Sequence, residues 1–254
     1  MNVVRTIAEV RAHPRHGVVG LVPTMGALHA GHEALFAAAR AECDTVIASL
    51  FVNPAQFQED GDLDAYPRSE RADLAVAAEA GVDLVFAPDV AEMYPPGFQT
   101  WVEVEQVAHG LEGEFRPGHF RGVATICLKL FTVVRPDLAY FGRKDAQQVA
   151  VVKQLVRDLA VPVEIRTVET VRDADGLALS SRNARLSAEE RARALAIPRA
   201  LATRDVERAR AVLAGAGVEP DYVAVADLDG PTLAIAARVG DTRLIDNVLL
   251  EGAA

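Results

Sequence analysis

A chain of 254 residues, half of them hydrophobic and 24% charged, is long enough to bury a sizeable core as one large domain or two unequal ones. A formal net charge of -10 argues against nucleic-acid binding through a basic face, and it requires any site for a small anion to supply its own local cations. Cys43 and Cys127 each sit in an apolar run outside any metal-ligand spacing and read as buried free thiols of a reducing, cytoplasmic compartment. The N-terminal residues lack the apolar core of a signal peptide, and no segment has the uninterrupted apolar length of a membrane span.

Along the chain, strand-like and helix-like segments alternate. VVGLVP (18–23) reads as a buried strand, followed by a Gly/His turn and an Ala-rich helix over 33–43. TVIASLFV (45–52) is a second strand, ended by Asn53-Pro54; residues 71–80 form a helix stopped by Gly81, and VDLVFAP (82–88) is a third strand. Continuous apolar strands separated by helices imply a parallel sheet covered on both faces. Next, MYPPGF (93–98) reads as a loop, TWVEVE (100–105) as an exposed strand and GEFRPGHFRG (113–122) as a surface loop. A buried helix is expected over 123–134, a strand over 138–142, a helix over 145–159 and a strand over 163–168. A boundary is expected near Arg185, because Ser187 and Glu190 form a capping box that opens a new helix. The predicted class is α/β: a parallel-sheet domain over 1–185 and a smaller α+β domain over 186–254, with short strands at 222–226, 233–237 and 243–245.

The chemistry concentrates after the first strand, in PTMGALHAGH (23–32). His29 and His32 flank Ala30-Gly31 at the mouth of a helix, where free N–H groups and the dipole favour an anion. Gly26 and Gly31 would let the backbone approach a phosphate or purine. A capping role for one histidine, or a zinc site, are the competing readings, the latter without an obvious third ligand. Gln56, in FVNPAQF (51–57), offers an amide suited to a neutral polar substrate group. In FGRKDAQQ (141–148), Lys144 is a phosphate-binding cation, Asp145 a ribose acceptor or helix cap, and Gln148 lies one turn on. LSSRN (179–183) adds two hydroxyls and Arg182, a set suited to phosphate.

These segments, with YPR (66–68), FAP (86–88), EGEFRPGHFRGV (112–123), DGLALSSRN (175–183) and RLIDN (243–247), recur in the order found in the pantothenate synthetase family, which the chain closely resembles. HAGH alone is similar to the His-x-Gly-His motif of the wider nucleotidyltransferase superfamily. The resemblance implies a Rossmann-like N-terminal domain, a C-terminal lid, a homodimer, and magnesium-dependent use of ATP to join D-pantoate to β-alanine through a pantoyl adenylate. It implies an ATP site built from Met25, Gly26, Leu28, His29, Gly31 and His32, from Gly142, Arg143, Lys144 and Asp145, and from Leu179, Ser180, Ser181 and Arg182. Val171 would meet adenine through its backbone. His32, His29, Lys144 and Arg182 would serve the chemistry, with His32 as general acid or phosphate stabiliser. Met25, Gln56 and Gln148 would hold pantoate, Gln56 also touching β-alanine, and Asp73 would stand near magnesium. Arg116 and His119 would sit on a mobile flap. Two departures from the family stand out: Arg143 replaces the usual Glu, and the C-terminal domain is short around residues 214–219.

Carboxylate attack on an α-phosphate brings anion to anion, so cations and imidazoles must offset charge while amides align the acid. No protein nucleophile is required. Two other functions remain in view. A nucleotidyltransferase acting on a phosphorylated substrate would want cations near Gln56, where NPAQFQEDGD (53–62) is neutral to acidic. A non-catalytic nucleotide-binding regulator would tolerate loss of His29, His32 or Lys144, and all three are present.

Overall fold

In a computed structural model, the structure describes residues 1–57, Leu63, Tyr66 and residues 69–250. Pro67 and Arg68 of YPR and the acidic stretch 58–62 lie outside the described residues. The chain divides into two compact units, Met1–Phe141 with Val151–Val168, and Gly142–Ala150 with Glu169–Ala254. This division groups residues 169–185 with the C-terminal unit, whereas the capping box at Ser187 had suggested a cut after 185. Leu177, buried in the C-terminal core, shows why: packing, not the next helix start, sets the unit.

The first unit contains β1 (Asn2–Val4), β2 (Val19–Thr24), β3 (Thr45–Leu50), β4 (Leu84–Phe86), β5 (Leu138–Gly142, its last residue in the second unit) and β6 (Glu164–Val168). They form one sheet in the order β1-β4-β3-β2-β5-β6, parallel at β1–β4, β4–β3, β3–β2 and β2–β5. Leu21, Ile47 and Leu84 are fully buried in adjacent strands, the expected result of apolar runs covered on both faces. Helices α1 (Ile7–Ala12), α2 (Ala30–Glu42), α3 (Glu70–Glu79) and α4 (His119–Val134) belong to this unit. Strand order reverses on either side of β2, and ligands of open α/β sheets bind beyond the strand C-termini at such a switch point.

Three local expectations are corrected. Helix α2 starts at Ala30, not Glu33, because the two histidines cap it. Residues 100–105 form no strand: exposure alternates as TWVEVE predicts, but the backbone bond made there is Val102 N–H to Thr125 Oγ1, not a ladder. The loop expected over 113–122 is largely ordered structure, with a helical turn at Glu112–Phe115 and the first turn of α4. Gly122 on α4 has a packing reason, since a Cβ there would stand 2.3 Å from the Ala55 carbonyl oxygen.

Helix α5 (Ala146–Asp158) spans the division between units. The second unit holds α6 (Ala188–Ala194), α7 (Ala196–Ala202) and α8 (Val206–Gly215), and an antiparallel sheet of β7 (Pro220–Asp227), β8 (Pro231–Val239) and β9 (Thr242–Leu249). The Ser187–Glu190 capping box is formed as read. Ile197, Leu213, Leu233 and Ile235 make its fully buried core. Among the described residues, no helix is long and apolar enough to cross a membrane.

Candidate active site

Beyond β2 the chain turns sharply. Gly26 has φ +84° and Ala27 φ +52°, a left-handed pair that costs the alanine some strain. Asp73, buried in the first turn of α3, holds this turn: Oδ1 accepts the Leu28 N–H at 2.8 Å and Oδ2 the Ala27 N–H at 3.1 Å. A Cβ on residue 26 would meet Asp73 Oδ2 at 2.9 Å, so glycine is needed there for room as well as for φ.

The turn delivers His29 to the N-cap of α2 and His32 to the third helical position. The Gly31 N–H donates to His29 Nδ1 at 3.1 Å, and the His29 N–H donates to His32 Nδ1 at 3.2 Å. Both imidazoles therefore cap the helix in the reciprocal manner of a capping box. An acceptor Nδ1 places the proton of the neutral ring on Nε2, so each ring carries an Nε2–H donor. Gly31 makes space for this: its Cβ would lie 2.8 Å from His29 Cε1. The capping role weighed for one histidine is filled by both.

Gln56 ends a 3-10 turn, Pro54–Gln56, that follows β3. Asn53, which the sequence reading treats only as a strand stop, fixes its orientation. Asn53 Nδ2 donates to Gln56 Oε1 and to the Gly122 carbonyl, each at 3.1 Å, while Asn53 Oδ1 accepts the Tyr94 hydroxyl at 2.8 Å. Burial pushes the Tyr94 phenol well above its ordinary range, so it remains a neutral donor. With its oxygen occupied, Gln56 presents Nε2, which lies 3.1 Å from Met25 Sδ. His119 Nδ1 stands 2.9 Å from the Gln56 carbonyl, and Arg116 reaches the same oxygen at 3.4 Å. The sequence signal for Asn53 was its spacing: residues three apart share a face of a 3-10 turn.

The second unit carries the other candidates. Arg143, Lys144 and Asp145 form a 3-10 turn before α5, and Gln148 lies in the first turn of that helix, half-buried. The Arg143 guanidinium is mostly buried, with Glu169 and Asp229 carboxylates each at 3.6 Å. The Arg143 side chain therefore answers two acids of its own unit. Lys144 Nζ lies 3.8 Å from Asp145 Oδ2. Ser180 caps a second 3-10 turn, Ser181–Arg185, by accepting the Arg182 N–H at 3.2 Å. The Leu179 N–H donates to the Val171 carbonyl across a short hairpin.

These positions yield a prediction for Arg143. Arg143→Gln is expected to leave turnover nearly intact and to cost at most about 1 kcal/mol of stability, the scale of partly exposed ion pairs. Arg143→Glu places three carboxylates together and should melt lower than Arg143→Gln. Paired melting curves and steady-state rates check this; a loss of turnover in Arg143→Gln comparable to Lys144→Ala would show the guanidinium serving the reaction.

In the first unit, the structure thus joins Met25 to Gln56, Leu28 to Asp73 and His29 to His32. In the second, it joins Val171 to Leu179 and Ser180 to Arg182. Among the described residues, no group of three His, Cys, Asp or Glu side chains is placed to hold a metal ion. A parallel α/β sheet with the HAGH helix start at its switch point is an arrangement suited to an anionic nucleotide. Comparison with known proteins narrows this. The family described as Pantoate-beta-alanine ligase matches residues 2–249. Pantothenate synthetase of Corynebacterium glutamicum is 54% identical over 96% of this chain and 97% of its own length. That of Chloroflexus aurantiacus is 52% identical over 99% of both. Among solved structures, pantothenate synthetase from Thermus thermophilus superposes with a TM-score of 0.93 at 46% identity, covering 98% of this chain and 99% of that one. Pantoate-beta-alanine ligase from Francisella tularensis, complexed with beta-gamma ATP and beta-alanine, gives 0.88 at 36% identity, covering 98% and 97%. The chain belongs to the pantoate–β-alanine ligase family.

Proposed function

We infer that the chain condenses D-pantoate with β-alanine at the expense of ATP, through a pantoyl adenylate. A pantoate carboxylate oxygen attacks the α-phosphorus and pyrophosphate leaves. The β-alanine amine then attacks the acyl carbon, and AMP departs with the transferred oxygen. The observation that carries this reading is the neutral, donor-presenting arrangement after β2 and β3. Gln56, its oxygen held by Asn53, points its amide nitrogen toward Met25, which suits an acid bearing hydroxyls. His29 and His32 are locked with Nε2–H donors, which suit charge growing on a phosphate. The Francisella relative, solved with an ATP analogue and beta-alanine, supports both co-substrates.

Within this reading, Met25, Gln56 and Gln148 align pantoate. Gly26, Leu28, Gly31 and the two histidines meet the nucleotide, as do Gly142–Asp145 and Leu179–Arg182, with Lys144 and Arg182 supplying positive charge. Val171 meets adenine through its backbone, whose carbonyl also accepts the Leu179 N–H. Asp73 is assigned to the magnesium neighbourhood through the turn it holds, each of its oxygens accepting one backbone amide. Magnesium, which favours phosphate oxygens and water, is assigned to the triphosphate itself. A cytoplasmic location accords with the two buried free thiols. A homodimer accords with the extended segment 100–105, which exposes Trp101 and forms no strand among the described residues.

The test is ATP–pyrophosphate exchange with a panel of acids. D-Pantoate alone is expected to support exchange, without β-alanine. Exchange that requires β-alanine contradicts a free-standing adenylate.

A further inference from the structure

RLIDN (243–247) is a segment of the family resemblance to which no role attaches. It lies on β9, which packs against both the 143–145 turn and the 181–185 turn. Two consecutive residues of this strand, Asp246 and Asn247, are polar and buried at 3% and 6% exposure. Neighbours on a strand face opposite sides, so they serve different partners. Asn247 Nδ2 donates to the Arg143 carbonyl and to the Lys144 carbonyl, each at 2.9 Å. Both partners are acceptors, which fixes the carboxamide with nitrogen toward the turn. The Asn247 N–H donates to Asp246 Oδ1 at 2.8 Å, and Asp246 accepts two bonds from the Arg172 guanidinium, at 2.6 and 3.0 Å. A continuous set of bonds therefore runs from the residue after Val171 to the backbone that carries Lys144.

We propose that Asn247 is the positioning residue for Lys144: it clamps the backbone of the 143–145 turn so that the ammonium is presented to nucleotide phosphates. The identity of the nucleotide as ATP rests on the ligase reading. Asn247 touches no reacting atom in this account and acts through the turn.

A double-mutant cycle on ATP affinity tests it, using the full chain and calorimetric titration with ATP. Asn247→Ala is expected to weaken ATP about tenfold, the scale of losing two hydrogen bonds. In a Lys144→Ala background, the same change should add less than about twofold, because the group it positions is gone. Losses that multiply in the double variant overturn the inference, as does wild-type affinity in Asn247→Ala. Should that variant fail to fold, Asn247→Asp replaces it at equal volume. Its carboxylate repels the two carbonyls, but its protonated form donates one O–H. Burial raises that carboxyl's pKa, so ATP affinity relative to wild type should recover as pH falls through it. A deficit independent of pH overturns the inference. The readout needs no acid activation: missing pantoate-dependent exchange in wild type refutes the ligase reading, while the cycle judges Asn247 by itself.

Discussion

His32→Ala is expected to lower kcat for adenylate formation by roughly two to three orders of magnitude, the scale of removing one donor aimed at developing charge. The His32 ring accepts the His29 N–H through Nδ1, so its Nε2–H is oriented by the helix start itself. A donor that matters only as charge forms should lower kcat and kcat/KM together. The alanine variant also loses half of the capping box, worth about 1 kcal/mol. His32→Gln separates the two roles, because glutamine is a normal partner at that capping position. Melting temperature should return toward wild type in His32→Gln while single-turnover adenylation stays slow. Recovery of both would reduce His32 to a cap.

Asp73→Ala carries the second large effect. The carboxylate accepts two amide N–H groups from a turn in which Ala27 already sits at positive φ. Removing it leaves both amides unsatisfied and frees the segment that sets His29 and His32. Displacing reacting groups by about an ångström costs roughly a hundredfold in rate, and that is the expected loss in kcat. Stability should fall by roughly 1–3 kcal/mol, two part-buried donors losing a charged acceptor. Asp73→Asn keeps one acceptor oxygen and should lie between wild type and Asp73→Ala in both properties. A magnesium ligand would behave differently: the defect of Asp73→Asn would shrink at high magnesium. Titrating magnesium in the rate assay distinguishes the two, and rescue by the ion would contradict the clamp.

Much of the first unit was legible because its strands are continuous apolar runs, and the alternation of elements fixed their parallel arrangement. Periodicity cannot show whether a polar segment finds a partner. TWVEVE alternates as a strand should, yet no strand among the described residues receives it. GEFRPGHFRG looks solvated by composition, but His119 is buried because its ring meets the Gln56 carbonyl, a residue far away in sequence. A capping role was legible for one of the two histidines; that both cap, each through Nδ1, was not, since histidine is an unusual cap and its partner is another histidine. Asn247 escaped notice because it acts on a backbone that only the folded chain brings near, and so does the bond of Asn53 to the Gly122 carbonyl, although its Gln56 partner lies only three residues on. Arg143 was visible as a departure, but its acidic partners, Glu169 and Asp229, are distant in sequence.

The adenylate itself is tested most directly by isotope transfer. D-Pantoate labelled with heavy oxygen in its carboxylate is incubated with ATP, β-alanine and the enzyme, and the products are weighed by mass spectrometry. Activation through a pantoyl adenylate sends one labelled oxygen into AMP for each pantothenate formed. Unlabelled AMP, or label in inorganic phosphate alongside ADP, would contradict it and point to an acyl phosphate.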